Sequence, residues 1–91
     1  MQKWSYCLVE REVVEHEVAE QKTATLAFFV DGKQAFYSDV TDMLFEMGNR
    51  GFELVSVATF TRSEPPVLLD GKYRPNTHTY TERFYFKRPT A

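Results

Sequence analysis

The chain has 91 residues, 43% hydrophobic and 26% charged, with a formal net charge of −2. That size and balance fit one folded domain, residues 1–91, and exclude a disordered chain. A single cysteine rules out an intrachain disulfide, and no apolar run approaches the ~18 residues that cross a bilayer, so the expected location is the cytoplasm, with no membrane partner.

Trp4, Tyr6 and Leu8 alternate with Ser5, Cys7 and Val9, which predicts a first strand over 3–10. The acidic stretch 10–20 keeps its apolar residues in pairs and reads as an extended arm, with a short helix as the alternative. Residues 23–30 alternate again, with Leu26, Phe28 and Val30 on one side. Asp31-Gly32 is a type I′ hairpin signal, after which 34–37 form a short return strand.

From Ser38 to Met47, Val40, Met43, Leu44 and Met47 form one apolar stripe of an amphipathic helix. Ser38 is the expected N-cap, Asp39 and Asp42 favour the positive end of the helix dipole, and Gly48 is the expected left-handed C-terminal residue. From Phe52 the period changes to two. Phe52, Leu54, Ala58 and Phe60 share one side and Val55 and Val57 the other, as in a central strand covered on both faces. Three prolines and Asp70-Gly71 make 62–77 a long loop. The last strand is 79–87, and 88–91 are a tail.

Trp4-x-Tyr6, Leu44-x-x-x-Gly48-x-x-Gly51-Phe52-Glu53-Leu54-Val55-x-Val57 and Phe84-x-Phe86-Lys87-Arg88 resemble the small bacterial and phage family known as domain of unknown function 4177. The likeness spans both ends and the middle. Phe52 stands where that family usually has tryptophan, and the acidic arm and the proline-containing loop are longer. The resemblance implies an α+β fold: a four-stranded, mostly antiparallel sheet with one helix on one face, in the order β-β-α-β-β. It transfers no activity and no catalytic residues.

A helix is roughly 10–12 Å across and four strands spaced ~4.8 Å span ~19 Å, so one helix covers about half of one face. Fourteen aromatic residues are more than that core can take. Some of Trp4, Tyr6, Phe28, Phe29, Phe60, Tyr80, Phe84, Tyr85 and Phe86 must lie outside it, and large exposed apolar patches mark interfaces. The expected partner is a second copy of the chain, in a homo-oligomer of two or more. The competing arrangement folds the arm or the loop back over the sheet.

Charge is polarised. Residues 1–49 hold nine acids against four bases, and 50–91 seven bases against four acids. The overall negative sign argues against wrapping nucleic acid, and the basic-aromatic run of RNA-recognition sheets is absent. Arg62, Lys72, Tyr73, Arg74 and His78 gather in or beside the long loop, with Arg83 on the next strand. Arginine presents a planar fork to phosphate and tyrosine can stack on a base, so these six are the candidate site for a small anionic ligand such as a nucleotide, near a subunit interface.

Catalytic chemistry is not expected. Cys7 reads as a buried inert thiol, and His16 and His78 lack metal-ligand spacing with it. The carboxylates of 10–20 read as solvated, Glu53 reads as a hydrogen-bond acceptor within the fold, and no phosphate loop or nucleophile elbow is present. The expectation is a non-enzymatic interaction module with no cofactor and no metal.

Overall fold

The computed structural model of the protein describes residues 2–18, 21–64, 67–69, 72–74 and 76–90; the side chains of 17–22 and 64–76 fall outside that description. Strand β1 (Trp4–Val18) runs antiparallel to β2 (Gln21–Val30), so the acidic stretch continues the first strand. The cause is on the neighbouring chain segment. Glu10 and Arg11 lie directly opposite Arg83 and Glu82, and both pairs close as ion pairs, at 3.2 Å and 2.7 Å. Opposite charges facing each other across strands favour the extended form.

At Asp31-Gly32 the chain reverses with positive φ at both residues, 49° and 83°, as a type I′ turn requires. The Asp31 amide donates to the Leu8 carbonyl at 2.8 Å, and its Oδ1 accepts from the Leu8 amide at 2.9 Å, which ties the turn to β1. Strand β3 (Lys33–Ala35) returns along β2.

Helix α1 spans Val40–Asn49, with caps that differ from the sequence expectation. Asp39, not Ser38, is the N-cap, because its carboxylate accepts from the Asp42 amide at 2.8 Å. The left-handed residue is Gly51, not Gly48. The Gly51 amide bonds the Gly48 carbonyl at 2.9 Å and the Phe52 amide bonds the Met47 carbonyl at 3.0 Å, a complete Schellman motif one turn later than expected.

Four strands follow: β4 (Glu53–Glu64), β5 (Val67–Leu69), β6 (Lys72–Arg74) and β7 (Asn76–Pro89). The main sheet is antiparallel, in the order β3-β2-β1-β7-β4. It therefore has five strands rather than four, because the short return after the hairpin takes its own place at one edge. The stretch 62–77, expected to be irregular, begins inside β4 and ends inside β7, with β5 and β6 paired as a separate two-stranded ribbon between them.

Met43 and Met47 press the helix onto Cys7, Val9, Phe28, Phe84 and Phe86 at one end of the sheet. Tyr37 closes the side with an edge-on contact to Phe28, ring centroids 5.3 Å apart. The strands run far beyond this core. The molecule extends 60 × 25 × 18 Å with a radius of gyration of 17.2 Å, whereas a compact chain of this length has about 12 Å.

Candidate functional site

Strand alternation and register sort the side chains onto two faces. Cys7, Val9, Phe28, Phe84 and Phe86 face the helix. Trp4, Tyr6 and Leu8 of β1, Phe29 of β2, Tyr85 of β7 and Phe60 of β4 fall on the opposite face, which has no helix on it. There Tyr6 is 74% exposed and Phe60 48%. Of the nine aromatics expected to be in surplus, Phe28, Phe84 and Phe86 are the buried ones, and Phe36 and Phe45 join the exposed set.

The apolar strand β4 is not central. It closes the sheet, and among the described residues no strand pairs with its outer edge. Val55 is the reason its pattern misleads. Leu54 pairs with Phe86 and Ser56 with Tyr85, leaving Val55 as an extra residue in a bulge. The bulge shifts the alternation, so Leu54 lies on the same face as Val57, while Ala58 and Phe60 lie on the other. Leu54, Val55 and Val57 are 45%, 54% and 46% exposed. Beside the bulge, Tyr6, Leu8, Asp31, Val55, Ser56 and Tyr85 line a shallow depression of about 410 Å3 on the open face.

Cations decorate this surface rather than leaving it bare. Lys87 Nζ sits 4.2 Å from the Trp4 ring centre and 3.4 Å from Glu53. Arg83 lies 4.7 Å from the Phe60 ring centre while holding Glu10, and that hydrogen bond, followed by one to Tyr85, pushes its pKa further up. On the helix side, Arg88 covers Phe52 at 4.4 Å and donates to the Arg50 carbonyl at 2.8 Å. These contacts join charge attraction to aromatic quadrupoles.

The six residues expected to hold an anion are distributed over three strands. Arg62 is in β4, Lys72, Tyr73 and Arg74 form β6, and His78 and Arg83 are in β7. For Lys72, Tyr73 and Arg74 the backbone alone is described, and their side chains lie outside the described residues. Register places Arg62 and Arg83 on the open face and His78 on the helix face. Arg62 and His78 nonetheless border a common depression of about 410 Å3 near the far end of the sheet, together with Val13, Glu15, Thr61 and Tyr80.

Within that depression Glu15, His78 and Ser63 sit abreast on β1, β7 and β4, a row that the sequence reading missed because 62 residues separate Glu15 from His78 across three strands. Ser63 Oγ is 2.9 Å from His78 Nδ1. His78 and Ser63 are thus hydrogen-bonded neighbours, with the Glu15 carboxylate on the next strand.

Cys7 is buried against the core and donates to Asp31 Oδ2 at 3.6 Å. Burial, then the Asp31 charge and hydrogen bond, push its pKa up to about 11, against a weaker opposite pull from Arg50 and Arg88. It is a packed thiol, not an activated nucleophile. Among the described residues no three metal-ligating side chains converge, and no described helix is long and apolar enough to cross a membrane. No protein-family model, curated protein or solved structure matches this chain.

Proposed function

We propose that the protein is a non-enzymatic interaction module that works as a homo-oligomer, assembling through the open face and outer edge of its sheet. The observation that carries this reading is β4: a strand of 12 residues that leaves Leu54, Val55, Val57 and Phe60 about half exposed at the margin of a sheet with a helix on one side only. An unpaired edge exposes backbone donors and acceptors that pair readily with another strand. Tyr6, Tyr85 and Val55 border one exposed depression on the open face, with Phe60 farther along the same face beyond Arg83, and exposed apolar surface of this kind marks an interface. The resemblance to the domain of unknown function 4177 family, carried by Trp4-x-Tyr6, the stretch Leu44 to Val57 and Phe84 to Arg88, is compatible with such a role for a bacterial or phage product in the bacterial cytoplasm.

Native mass spectrometry of the full chain tests it. The expected result is a mass at a multiple of 10.7 kDa; a monomer across the working concentration range would refute the reading.

A second reading keeps the small anionic ligand. It draws on Arg62 and His78 bordering one depression, although Glu15 shares that lining and would repel an anion. Titration with a nucleoside monophosphate decides it. Saturable binding abolished by Arg62→Ala supports a ligand site, and no heat or shift on titration removes it.

A further inference from the structure

The two edges of the sheet are unequal. β3 is three residues long and covers only Phe28–Val30 of β2, so that margin is split between Lys33–Ala35 and the uncovered Gln21–Ala27 of β2, with a lysine in each part, an edge of the kind that discourages pairing. β4 offers 12 residues with no proline, glycine or lysine. Pairing of the two unlike edges would permit open-ended stacking, whereas the continuous, lysine-free β4 edge meeting its own copy closes the assembly at two. This rests on the self-association proposed above and assigns it a surface.

We propose that two copies join edge to edge, β4 against β4 in antiparallel register across a two-fold axis at Ala58, so that each five-stranded sheet continues into its twin. The register follows from side-chain parity and charge. In an antiparallel pair, residues directly opposite share a face. With the axis at Ala58, Val57 meets Thr59 and Ser56 meets Phe60. If Val55 bulges against the new strand as it does against β7, Leu54 meets Thr61 and Glu53 meets Arg62.

Every one of these pairings unites residues that the β4–β7 register already places on a common face: Val57, Thr59, Leu54 and Thr61 on the helix side, and Glu53, Ser56, Phe60 and Arg62 on the open side. The two-fold repeats the Glu53–Arg62 pairing, which puts opposite charges at both rims and small Ala58 at the centre. Glu53 has capacity for it, since its side chain is 65% exposed while contacting Lys87. No like charges stand opposite each other anywhere in this register. Shifting the axis to Phe60 instead opposes Ala58 to Arg62 and loses both complementary pairs.

Cross-linking through introduced cysteines reads the register directly. Ala58→Cys faces its own twin across the axis with Cβ atoms about 5 Å apart, inside the range a disulfide bridges after slight adjustment. Phe60→Cys, four residues from its twin, is about 13 Å away at ~3.3 Å per residue. Oxidation with copper phenanthroline should therefore convert Ala58→Cys to a covalent dimer on a non-reducing gel and leave Phe60→Cys monomeric. The wild-type chain, whose Cys7 is buried, is the blank.

A charge exchange provides the second arm. Glu53→Arg should weaken dimerisation about tenfold, which is ~1.4 kcal/mol over the two symmetry-related pairs, and adding Arg62→Glu should restore it. A cross-link at 60 and none at 58 overturns the register. A wild-type dimer with neither cross-link overturns edge pairing while the self-association reading stands. A wild-type monomer overturns both.

Discussion

Cys7 shows how a single side chain's environment reaches global stability. Its thiol is pushed up to about 11, first by burial and then by the neighbouring Asp31 carboxylate, from an ordinary value of 9.0. A group that deprotonates later in the folded than in the unfolded chain makes stability fall as pH rises, because the unfolded state is first to release the proton. That contribution is intact below pH 9.0 and lost by about pH 11. Urea unfolding of the wild type and Cys7→Ala across this window should give a steeper decline for the wild type. Equal slopes would mean that Asp31 and burial leave the thiol unperturbed. Tyr37 is also raised, chiefly by burial and then by Glu46, which are common to both proteins, while Cys7 itself is the last of its causes and is removed in the variant.

At the level of elements, the two glycines of the helix-to-strand corner make opposite demands. Gly51 has φ +83° and open space around an added Cβ, so Gly51→Ala carries a purely backbone cost of about 1 kcal/mol. Gly48 lies within α1, where an added Cβ also meets nothing, so Gly48→Ala stabilises by roughly 0.5–1 kcal/mol. For a chain this size, thermal midpoints should move about 4–8 °C per kcal/mol in opposite directions. A loss at Gly48 would return the helix terminus to where the sequence alone suggests it.

The hairpin at Asp31-Gly32 and the helix stripe of Val40, Met43 and Met47 follow from local rules, although Leu44 of the same stripe is exposed and Phe84 and Phe86, counted among the surplus aromatics, are buried. What was not legible depends on non-local pairing. The extended state of 10–18 is fixed by Glu82 and Arg83, some 70 residues away. The bulge at Val55 has no signature in its own residues, and it reverses the face of everything after it. A strand apolar on both faces also reads alike whether another strand of the same chain covers it or another molecule does. The alignment of Glu15, His78 and Ser63 became visible only once three strands were in register. Of the candidate anion site, the cluster in sequence became residues on two faces and a ribbon.

For the whole molecule, the question is which exposed aromatics matter. Phe36 is 88% exposed, on the segment between β3 and α1, and Phe45 is 69% exposed on the outer side of the helix. Neither lies on the open sheet face or on β4. Single exposed hydrophobics are ordinary on protein surfaces, whereas Tyr6 and Tyr85 line the depression beside the bulge and Phe60 stands on the unpaired edge strand. If copies meet along β4, Phe60→Ser should lower the proportion of oligomer at a given concentration and Phe45→Ser should leave it unchanged, while Tyr6→Ser, two strands in from that edge, lowers it only where the contact spreads onto the open face. Thermal unfolding adds an independent reading, because binding between folded copies stabilises by mass action and makes the midpoint rise with protein concentration. The wild type and Phe45→Ser should show that rise, and Phe60→Ser should flatten it. Sensitivity at Phe45 with indifference at Phe60 would instead assign the contact to the helix and leave the sheet as a surface for some other occupant.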